Sequence, residues 1–502
     1  MKDIFIKGKS ETGRWQDPLT AACGQDIKNR MGRRYSGLKA PRLMPQKISA
    51  VSPSLAIAKI LAPPAPSTTL SLKADPLIKL LVPLLLALTF WMAYAWGSLG
   101  AYWHGLSGHA YGSVLLGLAR AYFLMMLGLQ ILRTIFWARY RPYPLAQGPW
   151  PTLTVIIPAY NEGAMVEKAV SHVAASDYPA DRLEIICIDD GSQDDTWEFI
   201  QRACRRFPHL VKAIRFPANR GKKEALYAGF SQGRGEVFIT VDSDSVIEPQ
   251  ALRHLVSPLM QDEKMGAVAG NVKVFNRHQS LMGKMQGVRF INLDYLRAAQ
   301  SWYRTVICTP GSLSAYRRGA LLPILSAWRR QTFLGAPCRH SEDRALTNFI
   351  LRAGYYTCYQ RTAVVHTLVP ETYRGVCNMY LRWERGNVRE SFVQLSYLFT
   401  RYRTEHRLLP VVEFFLSQLE YPLALLFFGL LLASIAAYPA MILNLLWLLG
   451  LGSLLNLIYY FWLERDLDFV YGVIYSFYAF FLLQWIYPYA FATVRDCHWL
   501  TR

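Results

Sequence analysis

Charge is scarce in this chain. Asp, Glu, Lys and Arg make up only 18% of its 502 residues against 52% hydrophobic residues, a balance too apolar for an ordinary soluble enzyme. Acidic residues are the rarer sign, 35 against 55 basic ones, which leaves a net charge of +20. That excess does not call for nucleic acid, because the basic residues sit largely in the N-terminal tail and beside apolar stretches. The eight cysteines include no CxxC pair and no His/Cys cluster with metal-ligand spacing, so they read as reduced cytosolic or buried thiols. No signal peptide is expected, since the first apolar run begins late and lacks a cleavage-like site.

What is present is uneven. Apolar residues crowd into about 77–136 and 409–494 and leave a mixed middle, the pattern of a membrane protein built around a soluble domain. Residues 1–75 carry Lys28, Arg30, Arg33, Arg34, Lys39 and Arg42 ahead of a Pro/Ser/Ala stretch. They read as a basic, mostly disordered cytoplasmic tail, either touching anionic lipid headgroups or serving as a plain linker. A transmembrane hairpin is expected over 76–137, with spans at 77–102 and 111–136. Arg120 lies inside the second span, where it faces a polar cavity, makes a structural ion pair or snorkels to the interface. Arg133, Arg139 and Arg141 follow that hairpin, and Arg401, Arg403 and Arg407 precede the next apolar region. This places the domain at 138–375 in the cytoplasm by the positive-inside rule. Amphipathic interface helices are expected over 376–408 and membrane or interfacial segments over 409–494, where Glu413, Gln418 and Glu420 suit a polar conduit.

From residue 152 short β-rich runs alternate with amphipathic helices: strands at 153–158, 183–188, 210–216 and 237–241, helices at 165–176, 197–207 and 222–229. Such alternation implies an α/β fold with a largely parallel sheet, helices on both faces and ligands at the strands' carboxyl ends. The motifs fall at those ends. The run Val237 to Val241 stops at Asp242-Ser243-Asp244, two carboxylates suited to hold Mg²⁺ or Mn²⁺ together with diphosphate oxygens, although an ordinary Asx turn has the same residues. Ala159-Tyr160-Asn161-Glu162 offers a ring to pack on a nucleobase and a carboxylate to accept a base or ribose hydrogen bond. Asp189-Asp190-Gly191-Ser192 offers acceptors for a base N–H, and Asn219-Arg220-Gly221-Lys222-Lys223 sets cations and backbone N–H groups at a helix start, where an anion binds well. Each is weak alone; the ordered set is specific.

With these motifs in place the chain resembles the inverting family 2 glycosyltransferases of GT-A fold, and within them the processive membrane-embedded synthases. The likeness is to hyaluronan synthases and nodulation-type chitooligosaccharide synthases over roughly 75–502, carried also by 297–301, 308–318, 331–335 and Ser341-Glu342-Asp343-Arg344. The resemblance implies a GT-A domain inserted between α-helical transmembrane segments in a cell membrane, bacterial inner membrane by expectation. Asp343 would be the base that deprotonates the acceptor hydroxyl, with Glu342 and Arg344 in support and a divalent metal on departing UDP. Leu381-Arg382-Trp383 is similar to the family's Gln-x-x-Arg-Trp motif, in which Trp stacks on the acceptor sugar and Arg approaches the diphosphate; here Met379 stands at the Gln position. The terminal Trp499-Leu500-Thr501-Arg502 is similar to a Trp-Gly-Thr-Arg element that closes over the nucleotide, so 495–502 would be a gating-like motif, and 469–494 would then turn back or lie at the interface. Hyaluronan, made from UDP-GlcNAc and UDP-glucuronate, is the expected product. Chitooligosaccharide, another β-glycan, or a single sugar added to a lipid carrier are the alternatives. The growing glycan and membrane lipids would be its other partners.

Overall fold

The computed structural model describes residues 70–95, 112–403, 405, 407–437, 439 and 441–496. The basic tail up to residue 69, and Trp499 and Arg502 of the terminal motif, lie outside the described residues.

Two apolar helices come first, α1 (Leu70–Ala95) and α2 (Gly112–Arg139). The middle then runs β1 (Leu153–Ala159), α3 (Met165–Ala174), β2 (Leu183–Asp189), α4 (Thr196–Arg206), β3 (Val211–Arg215), α5 (Lys222–Gln232) and β4 (Val237–Thr240). These are the expected elements in the expected order, with ends moved by only a few residues. Next come β5 (Ser245–Ile247), α6 (Ala251–Gln261), β6 (Met265–Val274), α7 (Leu281–Trp302), β7 (Ser314–Arg317), α8 (Arg318–Arg329), β8 (Thr332–Phe333), β9 (Ala336–Pro337), α9 (Glu342–Arg352), β10 (Tyr356–Thr367) and α10 (Tyr373–Leu398). The apolar helices α11 (Leu408–Ala437), α12 (Met441–Glu464), α13 (Phe469–Tyr478) and α14 (Ile486–Ala492) follow.

Eight strands form one sheet in the order β3-β2-β1-β4-β7-β6-β10-β5. The first four are mutually parallel, and their near-continuous apolar runs are explained by burial on both faces. Along β1 the side chains alternate as the pleat requires: Val155 and Ile157 join α3 and α6 in one core, while Ile156 joins Phe230 of α5, Trp328 of α8 and Ile350 of α9 in the other. The largely parallel sheet expected from the sequence is mixed in its second half. There β7 runs antiparallel to both β4 and β6, and β5 antiparallel to β10. Strand β7 is only four residues long and follows the turn-rich Thr309-Pro310-Gly311-Ser312, so its periodicity is too short to read.

Among the described residues four helices are long and apolar enough to cross a membrane: Ala74–Ala95, Gly117–Arg139, Leu408–Ala436 and Met441–Glu464. The segment after them is bent by 44° between Phe469–Leu483 and Ile486–Ala492, with a π-helical turn at Ala479–Leu483 ahead of the bend. Helix α7 joins the two parts of the protein, packing on α2 and α13 on one side and on β6 and β10 on the other. Ion pairs reinforce that joint: Lys284 of α7 meets Asp75 of α1, Lys79 lies 2.7 Å from Asp468, and Arg277 lies 2.9 Å from Asp468. Past the bend, Arg385 of α10 holds Asp496 at 2.9 Å and donates to Thr493 at 3.1 Å.

Helix α10 seats on the start of α9 at Gly386, where an added Cβ would fall 1.7 Å from Ser341 Oγ and 2.3 Å from its Cβ. Gly386→Ala should therefore cost about 1–3 kcal/mol through overpacking. A lower thermal unfolding midpoint of the detergent-solubilised protein checks this, and an unchanged midpoint would show that α10 is free to shift off Ser341.

Candidate active site

The loops leaving β1, β2 and β4 and the starts of α5 and α9 converge on one crevice. Lys222 opens α5, and its Nζ lies 2.6 Å from Asp242 Oδ1, just beyond β4, and 3.1 Å from Glu342 Oε1, in the first turn of α9. Burial works against the Lys222 charge, but the carboxylates of Asp242 and Glu342 outweigh it and hold the ammonium well above lysine's ordinary pKa. Gly311 makes this possible, since a Cβ there would fall 2.7 Å from the ammonium.

Ser341 adopts a left-handed backbone conformation, φ 51°, as the chain turns into α9 and presents Glu342 and Asp343. Asp343 accepts hydrogen bonds from the backbone N–H of Arg344 at 2.7 Å and of Gly311 at 3.2 Å, with Cys308 Sγ 3.9 Å away. Burial and the adjacent Glu342 carboxylate push the Asp343 pKa up to about 6. Glu342 goes the other way: burial opposes its charge, but Lys222 keeps its pKa below the usual range. Two neighbouring carboxyls with pKa values driven apart are the electrostatic mark of divided acid–base roles. Arg382 of α10 lies within electrostatic reach of Asp242, Glu342 and Asp343.

On the β1–β2 side, Tyr160, Gly191, Ser192 and the 215–219 segment line a smaller recess of about 530 Å³. Asp190 accepts from the backbone N–H of Arg220 at 2.7 Å and of Gly221 at 2.8 Å, which fixes the approach to α5. Asp189 is fully buried, 3.2 Å from Arg215 Nε and 2.9 Å from the Ser192 N–H, and Ala159 accepts from Asp190 N–H through its carbonyl. These three residues thus shape the wall through internal bonds. Glu162 is half-buried, its N–H donating to Thr196 Oγ1 at 2.9 Å. Asn161, at φ 53°, ties the two loops together by accepting from Gln193 N–H and donating to Ser192 Oγ. Only Gly fits at 191: φ is +74° and a Cβ would meet the Ala218 carbonyl carbon at 2.4 Å.

Asp244 is buried beside Asp242, its Oδ1 accepting from Ser245 Oγ at 3.1 Å and Thr367 Oγ1 at 3.2 Å. Among the described residues no group of three or more His, Cys, Asp or Glu is arranged to hold a metal ion. Asp242 Oδ1 faces Lys222 and Asp244 Oδ1 accepts from Ser245 and Thr367; both are carboxylates of the kind that hard cations take together with phosphate oxygens and water.

The crevice is the mouth of a cavity of about 1130 Å³ that runs from Lys222, Asp242 and Asp343 past Arg382 and Trp383 into the space between α2, α11, α12 and α13. The Trp383 ring sits on its wall, 5.5 Å from Tyr380 and 6.1 Å from Phe290. Met379 also lines it and is otherwise buried against the apolar residues of α10, α13 and α14, a setting that accounts for an apolar side chain at that position. Arg344 reaches α10 rather than the carboxylates, bonding Asn387 and, at 3.2 Å, Ser391. The basic residue that α2 turns into the cavity is Arg133, paired with Glu413 at 2.7 Å and Ser417 at 2.8 Å; Arg120 lies on the exposed side. Sequence reading missed Arg289, Glu384 and the stacked pair Tyr421–Tyr487, with ring centroids 4.0 Å apart and planes at 7°. A signal existed for the first: Arg289, Leu293, Arg297 and Gln300 all line the cavity at one-face helical spacing.

Residues 154–324 match the glycosyl transferase family 2 profile. An N-acetylglucosaminyltransferase of Rhizobium meliloti is 34% identical over 257 residues, a match covering 51% of this chain and 60% of that protein. The chain thus spans about three fifths of that relative's length. An N-acetylglucosaminyltransferase of Azorhizobium caulinodans is 29% identical over 70% of this chain and 87% of its own length, and a hyaluronan synthase of Streptococcus pyogenes 28% identical over 78% and 90%. Among solved structures, a mannosyltransferase of Pyrobaculum calidifontis in complex with GDP-Man and Mn²⁺ superposes with a TM-score of 0.52 at 23% identity, covering 73% of this chain and 98% of that one, a likeness of fold. The stretch that matches the glycosyl transferase family 2 profile, residues 154–324, is thus flanked on both sides by apolar helices of membrane-crossing length.

Proposed function

We propose that the chain is a processive, inverting glycosyltransferase that polymerises UDP-activated sugars at the cytoplasmic membrane face and feeds the growing glycan into its own membrane helices. The observation that carries this reading is the single cavity leading from Asp343 past Trp383 into the helix bundle. A transferase whose acceptor stays in the cytosol has no use for such a passage. N-acetylglucosamine is the unit common to the two products considered, hyaluronan and chitooligosaccharide, so UDP-GlcNAc is the proposed donor in either case.

In this mechanism Tyr160 packs on the nucleobase, in the recess built by Ala159, Asp189, Asp190 and Glu162. Lys222 and Arg382 face the diphosphate, and Lys222 gives up part of its contact with Asp242 to do so. Asp242 and Asp244 would hold Mg²⁺ or Mn²⁺, which when bound neutralises charge on the departing diphosphate. Trp383 supports the acceptor ring through its face. Asp343 takes the proton from the acceptor hydroxyl as the oxygen attacks the anomeric carbon from the side opposite UDP, inverting the configuration. Glu342, kept ionised by Lys222, holds the Asp343 pKa up and so makes it a stronger base.

Asp343→Asn should lower turnover by roughly 10²–10⁴-fold while UDP affinity stays within about twofold. Radiolabelled UDP-GlcNAc incorporation and UDP titration of the purified protein read the two effects, and polymer made at the normal rate would remove Asp343 from the role of base. Because the base must be unprotonated and its pKa is raised to about 6, activity should be full above that pH and fall with one proton below it. In Asp343→Glu the midpoint should move; a midpoint that stays fixed would assign the titration to another group. Chelation by EDTA should stop transfer and Mn²⁺ should restore it, whereas activity undiminished by EDTA would rule out the metal role of Asp242 and Asp244.

A further inference from the structure

The run Arg297-Ala298-Ala299-Gln300-Ser301 at the end of α7 has no part in the mechanism above. Two of its residues are anchors. Gln300 is buried and its Oε1 accepts from the Ile307 N–H at 3.3 Å, while Ser301 Oγ accepts from the Tyr359 N–H at 2.6 Å. The end of α7 is thereby pinned both to the segment that leads into Cys308 and to β10. That segment is in turn held to α9, where the Thr309 N–H donates to Thr347 Oγ1 at 3.1 Å. These bonds fix α7 relative to Asp343.

Arg297 lies one turn before the anchors and lines the cavity. Its Nη1 stands 3.3 Å from Asp294 Oδ1, and that buried carboxylate is its only hydrogen-bond acceptor among the described residues. A guanidinium carries five N–H donors, so most of those on Arg297 are uncommitted. Its charge acts on Cys308, whose Sγ lies 3.9 Å from Asp343 Oδ2.

We propose that Arg297 positions the acceptor: it donates to oxygen substituents on the terminal sugar, beside the attacking hydroxyl, and so turns that hydroxyl toward Asp343. Asp294 is then a positioning residue that holds the guanidinium from behind. The inference rests on the reading of the chain as a glycosyltransferase with Asp343 as base. In that reading Lys222 and Arg382, on α5 and α10, face the diphosphate. Arg297 belongs to α7, whose cavity-lining face continues through Leu293 to Arg289 along the path the acceptor takes. A planar guanidinium spans two neighbouring oxygens on a ring, and one already held by a carboxylate has less freedom to lose on binding. Aligning the attacking oxygen in this way is worth far more to the rate than the contact alone.

The test uses the purified full-length protein in detergent, unaltered and as Arg297→Ala, Arg297→Lys and Asp294→Asn. UDP is titrated in the presence of Mn²⁺, and chitotetraose in the presence of UDP and Mn²⁺. Arg297→Ala should weaken chitotetraose binding about ten- to hundredfold, as expected for lost hydrogen bonds from a charged donor, and leave UDP affinity within about twofold. Arg297→Lys keeps the charge beside Asp294 but not the fork, so it should show the same split, and it carries the test should Arg297→Ala not fold. Asp294→Asn should move chitotetraose binding in the same direction by less, with UDP again unmoved; a merely structural role would move both ligands together. Chitotetraose binding unchanged in the Arg297 variants, UDP binding weakened as much as chitotetraose binding in Arg297→Lys, or no chitotetraose binding by the unaltered protein would overturn the inference and leave the glycosyltransferase reading standing. No transfer from any UDP-sugar by the unaltered protein overturns both.

Discussion

One ammonium group organises the catalytic crevice. Lys222 sits between Asp242 and Glu342, so a single positive charge gathers the start of α5, the loop after β4 and the first turn of α9. Without it, three carboxylates, the buried Glu342 and the half-buried Asp242 and Asp343, would face one another in one crevice, where like charges cannot all remain ionised. With it, Glu342 keeps its charge and Asp343 bears the consequence as a raised pKa. The difference in proton affinity between two adjacent carboxyls is therefore set by which of them the lysine touches. Gly311 belongs to the same arrangement: its backbone passes close to the ammonium, 2.7 Å from where a Cβ would stand, and donates its N–H to Asp343.

The second organising element is α7. It packs on the sheet through β6 and β10 and on the apolar helices through α2 and α13, while one of its faces supplies Arg289, Leu293 and Arg297 to the cavity. A displacement of this helix would move the mouth and the inner wall together. The ion pairs at its beginning, from Lys284 and Arg277 to Asp75 and Asp468, fix its position relative to both parts of the protein.

Much of this was legible in the sequence where a local rule applied. The βα alternation from β1 to β4 could be read because buried parallel strands are long apolar runs and their helices are amphipathic. The strand-end motifs could be read because ligand chemistry needs particular side chains there. What escaped depended on distant partners. Strand β7 is too short to show a period, and its antiparallel pairing with β4 is a tertiary fact. Arg133 looked like a flanking charge until Glu413, 280 residues away, was seen opposite it. Asp189 and Asp190 read as ligand acceptors, and within the chain they also accept from Ser192, Arg215, Arg220 and Gly221. Composition distinguishes an acidic turn; it does not say whether the turn faces a ligand or its own backbone.

The bent helix pair after α12 carries a consequence for counting. Its entry, at Asp468, is held by Arg277, which follows directly on a strand of the sheet, and its exit, at Asp496, is held by Arg385 on the helix that seats against α9. Apolar length counts this pair as a fifth span, whereas the two ion pairs tie its ends to residues near the sheet and on α10.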